Sequence, residues 1–551
     1  MNTDKELSAA RDTGASAIFN IGSKAVKEGV LSSLSVELSE AHKSGHLHIH
    51  DLDSFNLVYN CSTPLPSAVF KPNELRSSTA AGKIFETIGQ FRTMCCTLMH
   101  LQSGGIGSAN TDTEIADALR EAGIAANAEN AAFLRDAFSE FIVFLSTMRI
   151  RYGRENVYLT LHVGLDQSEL GRMVTHELLA ALRSLPVTYT RPNIVFKVCK
   201  DINGVGKPNH DLYLEAVACT AQRMIPTYLL CDSEPNKDID PAKLSIAGCR
   251  SRIYANRNGD LGSSGRGNIA AVSINLVRHA IESKGNVEDF FARLDETMDK
   301  SKRILILRRD ALRKSPFVEE VAASGYWKAK NSEELLRVGT YAIGFIGLAE
   351  TVAILGGGKA GVDDTSKELG IKIVTHMRER ANSYIDETGL NFSLLASAGE
   401  GICKRFPDED GKHFPDARCW GQKGWYTNSF HVPVEYAVGI SAKLKHEGAF
   451  HALCNGGSIT YVELSEAPIG NVKAVSQLID YATGYGVSYF GINFSLDRCA
   501  DCGHVGLFDL CPHCGSTKIE HIRRVSGYLE LENELSAGKR AEAANRRANA
   551  I

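Results

Sequence analysis

The chain has 551 residues, and its composition is that of an ordinary globular protein, with 44% hydrophobic and 23% charged residues. The formal net charge of -4 provides no general attraction to nucleic acid or to an anionic membrane, so any phosphate group must be bound in a local pocket. By length alone the chain has room for several domains, although large barrels exceed that length as one unit.

The first residues, Met1–Leu7, are polar and do not resemble a signal peptide. No apolar run reaches the roughly 18 residues that a transmembrane helix needs. The sequence contains 14 cysteines, and without a secretory signal we expect reduced thiols. We therefore expect a cytoplasmic protein with no membrane partner.

Residues 1 to about 45 are predicted to be helical, because apolar residues such as Ile18, Ile21 and Val26 recur at helical spacing. The next stretch, His46–Asp53, alternates as a strand does and carries three histidines on one face. These histidines suit a metal site or, in our preferred interpretation, hydrogen bonding in the polar interior of a barrel.

From 115 to 185 the pattern is helical and amphipathic, and such helices need a partner surface, which a dimer would supply. Short apolar runs then follow at Asn193–Val198 and Thr227–Leu230, between helical segments, which favours a parallel α/β arrangement. The glycine-rich Gly262–Gly267 (GSSGRG) lacks both the Walker ending and the dinucleotide-binding spacing, so we interpret it as a turn-rich stretch.

Near the C-terminus, four cysteines form two CxxCG units with eight residues between them. Each unit is a tight turn that directs two thiolates to one side, and two such turns form the tetrahedral all-thiolate site that zinc prefers. The alternative, two redox-active dithiols, is disfavoured because neither pair has the strand–helix context of a thioredoxin motif. The predicted zinc ligands are Cys499, Cys502, Cys511 and Cys514.

The segment after these cysteines, Arg523–Tyr528 (RRVSGY), resembles the glycyl-radical loop of class III, anaerobic ribonucleotide reductases, in which a four-cysteine zinc site precedes the loop. The resemblance to this family covers nearly the whole chain. The matching stretches are HIHDLD (His48–Asp53) followed by Tyr59–Cys61, GCRS (Gly248–Ser251), GRGN (Gly265–Asn268), SINL (Ser273–Leu276), IGFIGL (Ile343–Leu348), YTNSFH (Tyr426–His431), CNGG (Cys454–Gly457) and Tyr485–Phe494.

The resemblance implies an α/β fold, a ten-stranded α/β barrel of the glycyl-radical enzyme and ribonucleotide reductase type with a small C-terminal zinc-binding module. The implied division is a catalytic barrel with N-terminal helices at 1–495, a four-cysteine zinc module at 496–520, and the glycyl-radical loop and tail at 521–551. Nothing before His46 resembles the ATP-cone that opens many members, so we expect no control by dATP through such a domain.

The resemblance also implies the function, the anaerobic reduction of ribonucleoside triphosphates to deoxyribonucleoside triphosphates for DNA synthesis. By the match, Gly527 stores a glycyl radical and Cys249 becomes the thiyl that removes the 3′-hydrogen. Cys61 is expected on the opposite face of the ribose, where it donates hydrogen toward C2′. Asn268 is expected to approach the substrate or the reductant.

Further substrate contacts are expected from Asn275 and from Thr427, Asn428 and Ser429, which are short donors that suit phosphate oxygens. As an alternative, the three consecutive residues cap a helix, and the asparagines bond backbone at loop ends. Glu463 is a candidate for the carboxylate base near the ribose, although a solvent-exposed strand position is the preferred interpretation.

The implied cofactors are a structural zinc ion and the glycyl radical, which a radical-SAM activating enzyme generates with S-adenosylmethionine and an iron–sulfur cluster. Formate or a redoxin is the expected reductant. We expect ribonucleoside triphosphates and nucleotide effectors as ligands, a homodimer as the assembly, and no nucleic-acid partner. Ser526 stands where many relatives have Cys or Thr, which should leave the radical site unharmed.

Two other functions stay open at this point. One is a glycyl-radical enzyme similar to pyruvate formate-lyase, which shares the ten-stranded barrel but fits the cysteine pattern and the GCRS stretch poorly. The other is a zinc-ribbon nucleic-acid-binding protein, which the acidic balance and the lack of a basic stripe disfavour.

Overall fold

The structure is a computed structural model, and it describes residues 13–150, 153, 155–415, 423–525 and 527–550. The polar segment Met1–Leu7 and the residue Ser526, both considered in the sequence, lie outside the described residues. None of the described helices combines the length and the apolar character that crossing a membrane requires.

The described residues form nineteen strands, most of them short and fully buried. They are β1 (Leu47–Ile49), β2 (Cys61–Thr63), β3 (Ile106–Ser108), β4 (Arg149–Ile150), β5 (Glu155–Asn156), β6 (Leu159–Val163), β7 (Asn193–Val198), β8 (Thr227–Leu230), β9 (Ile246–Ala247), β10 (Ser251–Arg252), β11 (Arg266–Asn275), β12 (Thr340–Ile346), β13 (Asn391–Ala396), β14 (Thr460–Glu463), β15 (Tyr489–Asn493), β16 (Leu496–Cys499), β17 (Val505–Gly506), β18 (Ile519–Val525) and β19 (Tyr528–Leu531).

Ten of the described strands form a barrel from two parallel halves. One half is β2, β3, β6, β7 and β8, and the other is β11, β12, β13, β14 and β15. The halves meet in antiparallel pairs, β2 with β11 and β8 with β15. A parallel bridge between Leu395 of β13 and Gly457, just before β14, brings the remaining edges together. The expected ten-stranded α/β barrel is therefore confirmed.

Helices cover the outside of this barrel and bury its apolar outer face. Side-chain caps define where many of them begin, as Asn127 and Ser168 do by accepting the first free backbone N–H groups of their helices. The helices are α1 (Gly14–Ser33), α2 (Val36–Lys43), α3 (Pro66–Val69), α4 (Ala80–Leu101), α5 (Thr111–Glu121), α6 (Ala128–Thr147), α7 (Glu169–Ser184), α8 (Lys200–Asn203), α9 (His210–Arg223), α10 (Leu276–Glu282), α11 (Val287–Leu312), α12 (Pro316–Ala323), α13 (Ser332–Val338), α14 (Leu348–Ile354), α15 (Asp364–Thr388), α16 (Ile402–His413), α17 (Ile440–His451), α18 (Val472–Gly484) and α19 (Ala537–Ala544).

The region 115–185 differs from its predicted all-helical pattern. Helices α5, α6 and α7 occupy most of it, but β4, β5 and β6 lie between α6 and α7. Strand β6 enters the barrel, where all five of its residues are buried. The sequence of β6, LTLHV, alternates apolar and polar residues, which is the pattern of a strand, so the helical prediction overlooked a local signal.

A short hairpin inside the barrel carries Cys249 at its tip, and we call it the finger hairpin. It consists of β9 and β10, and it lies against β2, β3 and β6. The pair Ala247↔Ser251 leaves Gly248, Cys249 and Arg250 as the turn.

Side chains of β6 hold the finger hairpin in place. The Thr160 hydroxyl donates to the Gly248 carbonyl at 2.7 Å. His162 donates from Nδ1 to the Ser108 carbonyl at 2.7 Å, and its Nε2 accepts the backbone N–H of Ile246 at 2.9 Å. Burial lowers the pKa of His162 to about 3, so the ring stays neutral and keeps one nitrogen as an acceptor. The tip of the finger is thus positioned by the barrel wall.

The C-terminal residues form a separate antiparallel sheet in the order β17-β16-β18-β19. Strands β18 and β19 make what we call the glycine hairpin, in which the pair Val525↔Tyr528 closes the turn that contains Gly527. Strand β18 begins at Ile519, so the division expected at 520/521 falls within a strand. The four cysteines and the Gly527 turn consequently share one sheet.

Gly457 contacts the finger hairpin so closely that one added methyl group at this position should destabilise the protein. Gly457 has a φ of +124°, and a Cβ there would lie 1.9 Å from the Arg250 carbonyl oxygen. We expect Gly457→Ala to lower the free energy of unfolding by about 1–3 kcal/mol or more, because the backbone conformation is strained for alanine and the finger must move. Chemical denaturation measures the change.

Gly484→Ala is the matched control for that substitution. Gly484 is the exposed last residue of α18, and a Cβ there meets nothing within 4 Å. We expect it to leave stability unchanged or to raise it by up to about 1 kcal/mol. Equal effects of the two substitutions would contradict the role of Gly457 in supporting the finger.

Candidate functional site

A cavity of about 190 Å³ receives residues from both hairpins and from both halves of the barrel, and we call it the main cavity because both predicted catalytic thiols line it. Cys61 of β2 and Cys249 of the finger hairpin line it, together with Tyr528 of the glycine hairpin. The structure therefore brings the two predicted catalytic thiols into one cavity and places Gly527 at its edge.

The tips of the two hairpins are in direct contact. A Cβ built on Gly527 would lie 2.7 Å from the Cβ of Cys249 and 2.9 Å from its carbonyl oxygen, with the φ of Gly527 at +118°. Only glycine fits this gap, because a real Cβ does not approach other atoms below about 3 Å. The close approach suits transfer of a hydrogen atom between the two residues in a single step.

Two buried arginines hold the glycine hairpin in this position. Arg524 donates to the Gly527 carbonyl at 3.0 Å and to the Met224 carbonyl in the barrel. Arg191 donates to the Leu529 carbonyl at 2.7 Å and forms an ion pair with Glu530. Both arginines are only 1% exposed, so these bonds are made away from water, where an unmade bond costs most.

The sulfur of Cys61 occupies space that a side chain on the neighbouring Gly104 would fill. Its Sγ is 2.4 Å from the point that a Cβ on Gly104 would occupy, and 3.5 Å from the corresponding point on Gly248 of the finger turn. The thiol is buried and lies at the seam between the halves of the barrel, where β2 pairs with β11. The cavity therefore has a thiol on the barrel wall and another on the finger.

The finger thiol is held in its protonated form. Burial raises the pKa of Cys249 to about 11, because a thiolate would lose its hydration there. At neutral pH the sulfur keeps its hydrogen. Abstraction of a hydrogen atom requires that form, since a thiolate has no hydrogen to give.

The two predicted asparagines do not line this cavity. Asn268 pairs with Cys61 through backbone, but its amide donates to the carbonyl and hydroxyl of Thr340 at 3.2 and 3.1 Å. Asn275 caps α10 by accepting the backbone N–H of Arg278, and its amide donates to the carboxylate of Asp410. Both side chains are already engaged within the protein.

The predicted phosphate contacts lie in or beside a second, smaller cavity of about 40 Å³. Thr427 and Asn428 line it together with Glu463. Thr427 donates its hydroxyl to the Glu350 carboxylate at 2.7 Å. The Ser429 hydroxyl is buried and bonds to no described residue, with a positive φ of 38°. Thr427 and Ser429 thus lie outside the lining of the main cavity, while Asn428 contacts Gly399 of that lining.

Four carboxylates, Asp51, Asp53, Glu155 and Glu400, line the main cavity. Glu400 is the one whose charge acts on Cys249, and the sequence analysis missed it. Glu400 follows β13 and lines the cavity beside Cys249, and its negative charge contributes to the raised pKa of that thiol. The candidate from the sequence, Glu463, instead accepts the amide of Asn493 at 2.9 Å in the smaller cavity. The glycine-rich turn that follows β13 was the available signal, because loops at strand ends carry functional groups.

A helix N-terminus opens onto the same cavity. Helix α16 begins at Ile402, and its N-cap residue Gly401 has no side chain to bond the first backbone N–H groups. Beside it, Arg250 donates to the Ser397 carbonyl at 3.1 Å and is 1% exposed, while its Nε and one terminal nitrogen have no partner among the described residues. Free N–H groups and an unsatisfied guanidinium together suit an anion.

The C-terminal cysteines form a compact four-sulfur cluster. Their sulfur atoms all lie within 4.8 Å of one another, and the shortest contacts, 3.5 and 3.6 Å, join one CxxC unit to the other. Four sulfurs about 2.3 Å from a tetrahedral metal ion stand about 3.8 Å apart. The cluster fits one metal ion better than two separate dithiols. The residues concerned are Cys499, Cys502, Cys511 and Cys514.

The histidines of the strand-like segment near β1 are hydrogen-bonded within the protein. His46 bonds the Glu282 carboxylate at 2.9 Å, and His50 bonds the Ser273 hydroxyl at 2.7 Å. Among the described residues, the only group of metal-ligand side chains is the cysteine cluster. This agrees with the preferred interpretation of the histidines as hydrogen-bonding groups.

Comparison with known proteins gives one consistent family. The family model for anaerobic ribonucleoside-triphosphate reductase matches residues 9–548. The reductase of that name from Haemophilus influenzae is 30% identical over 93% of this chain and 78% of its own length. The corresponding protein of Enterobacteria phage T4 is 27% identical over 92% of this chain and 91% of its own length.

Solved structures show the same fold at lower identity. An anaerobic ribonucleotide reductase matches with a TM-score of 0.78 and 16% identity, covering 98% of this chain and 90% of that one. The Thermotoga maritima enzyme, solved in complex with dATP and CTP, matches with a TM-score of 0.73 and 15% identity over 97% and 90% of the two chains. A glycyl radical enzyme from Archaeoglobus fulgidus matches at 0.53 and 11% identity over 95% and 84%.

The cysteine cluster predicts a bound metal ion that the sheet needs. We expect Cys511→Ser to lower the metal content well below one ion per chain and to expose residues after 496 to protease, because a structural metal stabilises its module directly. Elemental analysis and limited proteolysis measure the two effects. Cys96→Ser, at a half-buried cysteine of α4, is the control and should change neither. Full metal content in Cys511→Ser would exclude the four-sulfur site.

Proposed function

The chain belongs to the anaerobic ribonucleoside-triphosphate reductase family, and we propose that it reduces ribonucleoside triphosphates to deoxyribonucleoside triphosphates by radical chemistry. The observation that carries this proposal is the contact between Gly527 and Cys249, at the edge of a cavity that also contains Cys61. The comparisons do not support a pyruvate formate-lyase-like enzyme or a zinc-ribbon nucleic-acid-binding protein.

The cavity residues have complementary roles in the proposed reaction. A radical stored on Gly527 removes the hydrogen atom from the Cys249 sulfur. Cys249 then takes the 3′-hydrogen of the ribose, and Glu400 accepts the proton of the 3′-hydroxyl. The 2′-hydroxyl leaves as water with a proton from Cys61. Two electrons from the reductant and two protons complete the reduction, with one proton forming the new C2′–H bond and the other restoring the Cys61 thiol. Glu400 returns its proton to the 3′-oxygen, and Cys249 returns a hydrogen atom to C3′.

We assign the substrate phosphates to the N-terminus of α16 and to Arg250, because free backbone N–H groups and an unsatisfied guanidinium meet there. Asn428 borders this region, since a Cβ on Gly399 of the adjoining loop would lie 1.5 Å from its side-chain oxygen. Four other residues were predicted from the sequence to contact the substrate, and for them that contact remains a prediction. These are Asn268, Asn275, Thr427 and Ser429.

The remaining components are also part of this proposal. The cluster holds zinc, because four thiolates in tetrahedral positions are its preferred structural ligands. A radical-SAM enzyme with an iron–sulfur cluster and S-adenosylmethionine generates the radical, and it reaches the buried Gly527 only when the glycine hairpin withdraws. Formate or a redoxin supplies the electrons. Nucleotide effectors, a homodimer and a cytoplasmic location complete the proposal, and the T. maritima structure with dATP and CTP supports nucleotide binding.

Storage and use of the radical can be separated by two substitutions. We expect Gly527→Ala to abolish both the radical and the product, because the added methyl group removes the radical centre and collides with Cys249. We expect Cys249→Ala to keep the radical and to make no deoxynucleotide. Electron paramagnetic resonance measures the spin, and chromatography of the nucleotides measures the product.

Cys219→Ala is the control for both measurements. Cys219 is a fully buried thiol of α9 outside the main cavity, and its loss should preserve spin and product. Deoxynucleotide formation by Cys249→Ala would show that another thiol attacks the ribose.

Substitution of the two candidate carboxylates should lower kcat/KM to very different extents. We expect Glu400→Gln to lower kcat/KM by about 10²–10⁴ while the radical persists, because a general base is lost and the glutamine keeps its size. Glu463→Gln, in the smaller cavity, should lower it by less than about threefold. Steady-state kinetics on activated protein with matched spin content decides between them. A large loss in Glu463→Gln alone would move the base to the smaller cavity.

A further inference from the structure

Tyr528 follows Gly527 directly and reaches into the main cavity. It is the first residue of β19 and pairs with Val525 across the turn that contains Gly527. Its side chain is 6% exposed and lines the cavity with Cys61 and Cys249. The hairpin that places Gly527 against the finger therefore also delivers a tyrosine to the space between the thiols.

The ring of Tyr528 is fixed by its neighbours. It packs against Tyr158 at 4.9 Å between ring centres, and the Arg191 guanidinium lies 5.1 Å from the Tyr528 ring and 5.2 Å from the Tyr158 ring. Arg191 is itself held by the Leu529 carbonyl and by Glu530, both on β19. The phenol hydroxyl consequently has one well-defined position when the hairpin is closed.

The hydroxyl at the end of this ring is buried and has no hydrogen-bond partner among the described residues. The Thr160 hydroxyl donates to the Gly248 carbonyl and lies near enough to the phenol to affect the pKa of Tyr528, but the two hydroxyls do not reach hydrogen-bond geometry. The Tyr528 oxygen lies 3.2 Å from the point that a Cβ on Gly105 would occupy, in the glycine pair that also makes room for Cys61. Burial raises the pKa of Tyr528 well above its usual value, so the group keeps its proton and remains a donor.

A buried donor without an acceptor is unfavourable unless a ligand supplies the acceptor. The cavity between the thiols must hold the ribose if the two thiols act on C3′ and C2′. A ribose hydroxyl there would meet the phenol of Tyr528.

We propose that the Tyr528 hydroxyl donates a hydrogen bond to a hydroxyl of the substrate ribose, so that bound substrate holds the glycine hairpin closed. The inference rests on the proposed function, since it takes a ribonucleotide as the ligand. Substrate binding and closure of the glycine hairpin then favour each other. Substrate that binds the closed hairpin stabilises that state, and the closed state buries Gly527 and excludes the activating enzyme.

Binding to the unactivated protein tests the hydrogen bond without requiring a radical. We expect Tyr528→Phe to weaken the affinity for a ribonucleoside triphosphate about tenfold, the usual effect of losing one hydrogen bond of this kind. Isothermal titration calorimetry on the full chain measures it. Tyr341→Phe is the control, because that tyrosine is also fully buried but donates its hydroxyl to the Leu336 carbonyl in the outer core. Its affinity should equal that of the unsubstituted protein.

Ligands that lack one hydroxyl identify the acceptor. The 2′-deoxy and 3′-deoxy triphosphates should differ, and the one without the contacted hydroxyl should bind Tyr528→Phe and the unsubstituted protein equally well. Affinities within twofold of the unsubstituted protein for every nucleotide would overturn the proposal. If the unsubstituted protein binds no ribonucleoside triphosphate at all, the proposed function fails together with this inference.

The rate of activation tests the coupling. Saturating substrate should slow the appearance of the glycyl radical in the unsubstituted protein and should slow it less in Tyr528→Phe at equal fractional saturation. Electron paramagnetic resonance during activation follows both. Equal slowing in the two proteins would overturn the coupling, even if the hydrogen bond is confirmed by the binding measurements.

Discussion

The closeness of Gly527 and Cys249 is the constraint on which the rest of the structure depends. A hydrogen atom passes between two heavy atoms only at contact distance, and here a single added carbon would already overlap the partner. Two hairpins that lie far apart in the chain must therefore meet tip to tip. A wide barrel provides the interior in which this is possible, and its ten strands leave room for the finger and for a ligand beside it.

The groups that hold the two tips are polar, and they work because they are buried. A neutral His162 and the Thr160 hydroxyl position the finger, while Arg524 and Arg191 position the glycine hairpin. Each of these bonds is made where water cannot replace it, so losing one costs more than it would at the surface. The same exclusion of water protects reactive intermediates and keeps the Cys249 hydrogen on sulfur.

The cysteine cluster is connected to this site through a single sheet. Strand β16 ends at Cys499, and β18 returns from the cluster to the turn that contains Gly527. A metal ion bound by the four sulfurs fixes the far end of that sheet without approaching the cavity. A metal ion there would stabilise the hairpin that carries Gly527, the residue that the proposed function assigns to radical storage.

The sequence by itself determined the features that depend on neighbouring residues. The spacing of the cysteines predicted the four-sulfur cluster, and the short apolar runs at β7 and β8 predicted an α/β sheet. The resemblance of its motifs to the reductase family also indicated the ten-stranded barrel. Such patterns are readable because turn geometry and strand burial are local consequences of residue type.

Only the tertiary structure decided which distant groups share a cavity. It placed Glu400 rather than Glu463 in the cavity with the thiols, engaged the amides of Asn268 and Asn275 within the protein, and brought Tyr528 into the same cavity. The sequence could not reveal these facts, because a side chain's role depends on contacts made across hundreds of residues.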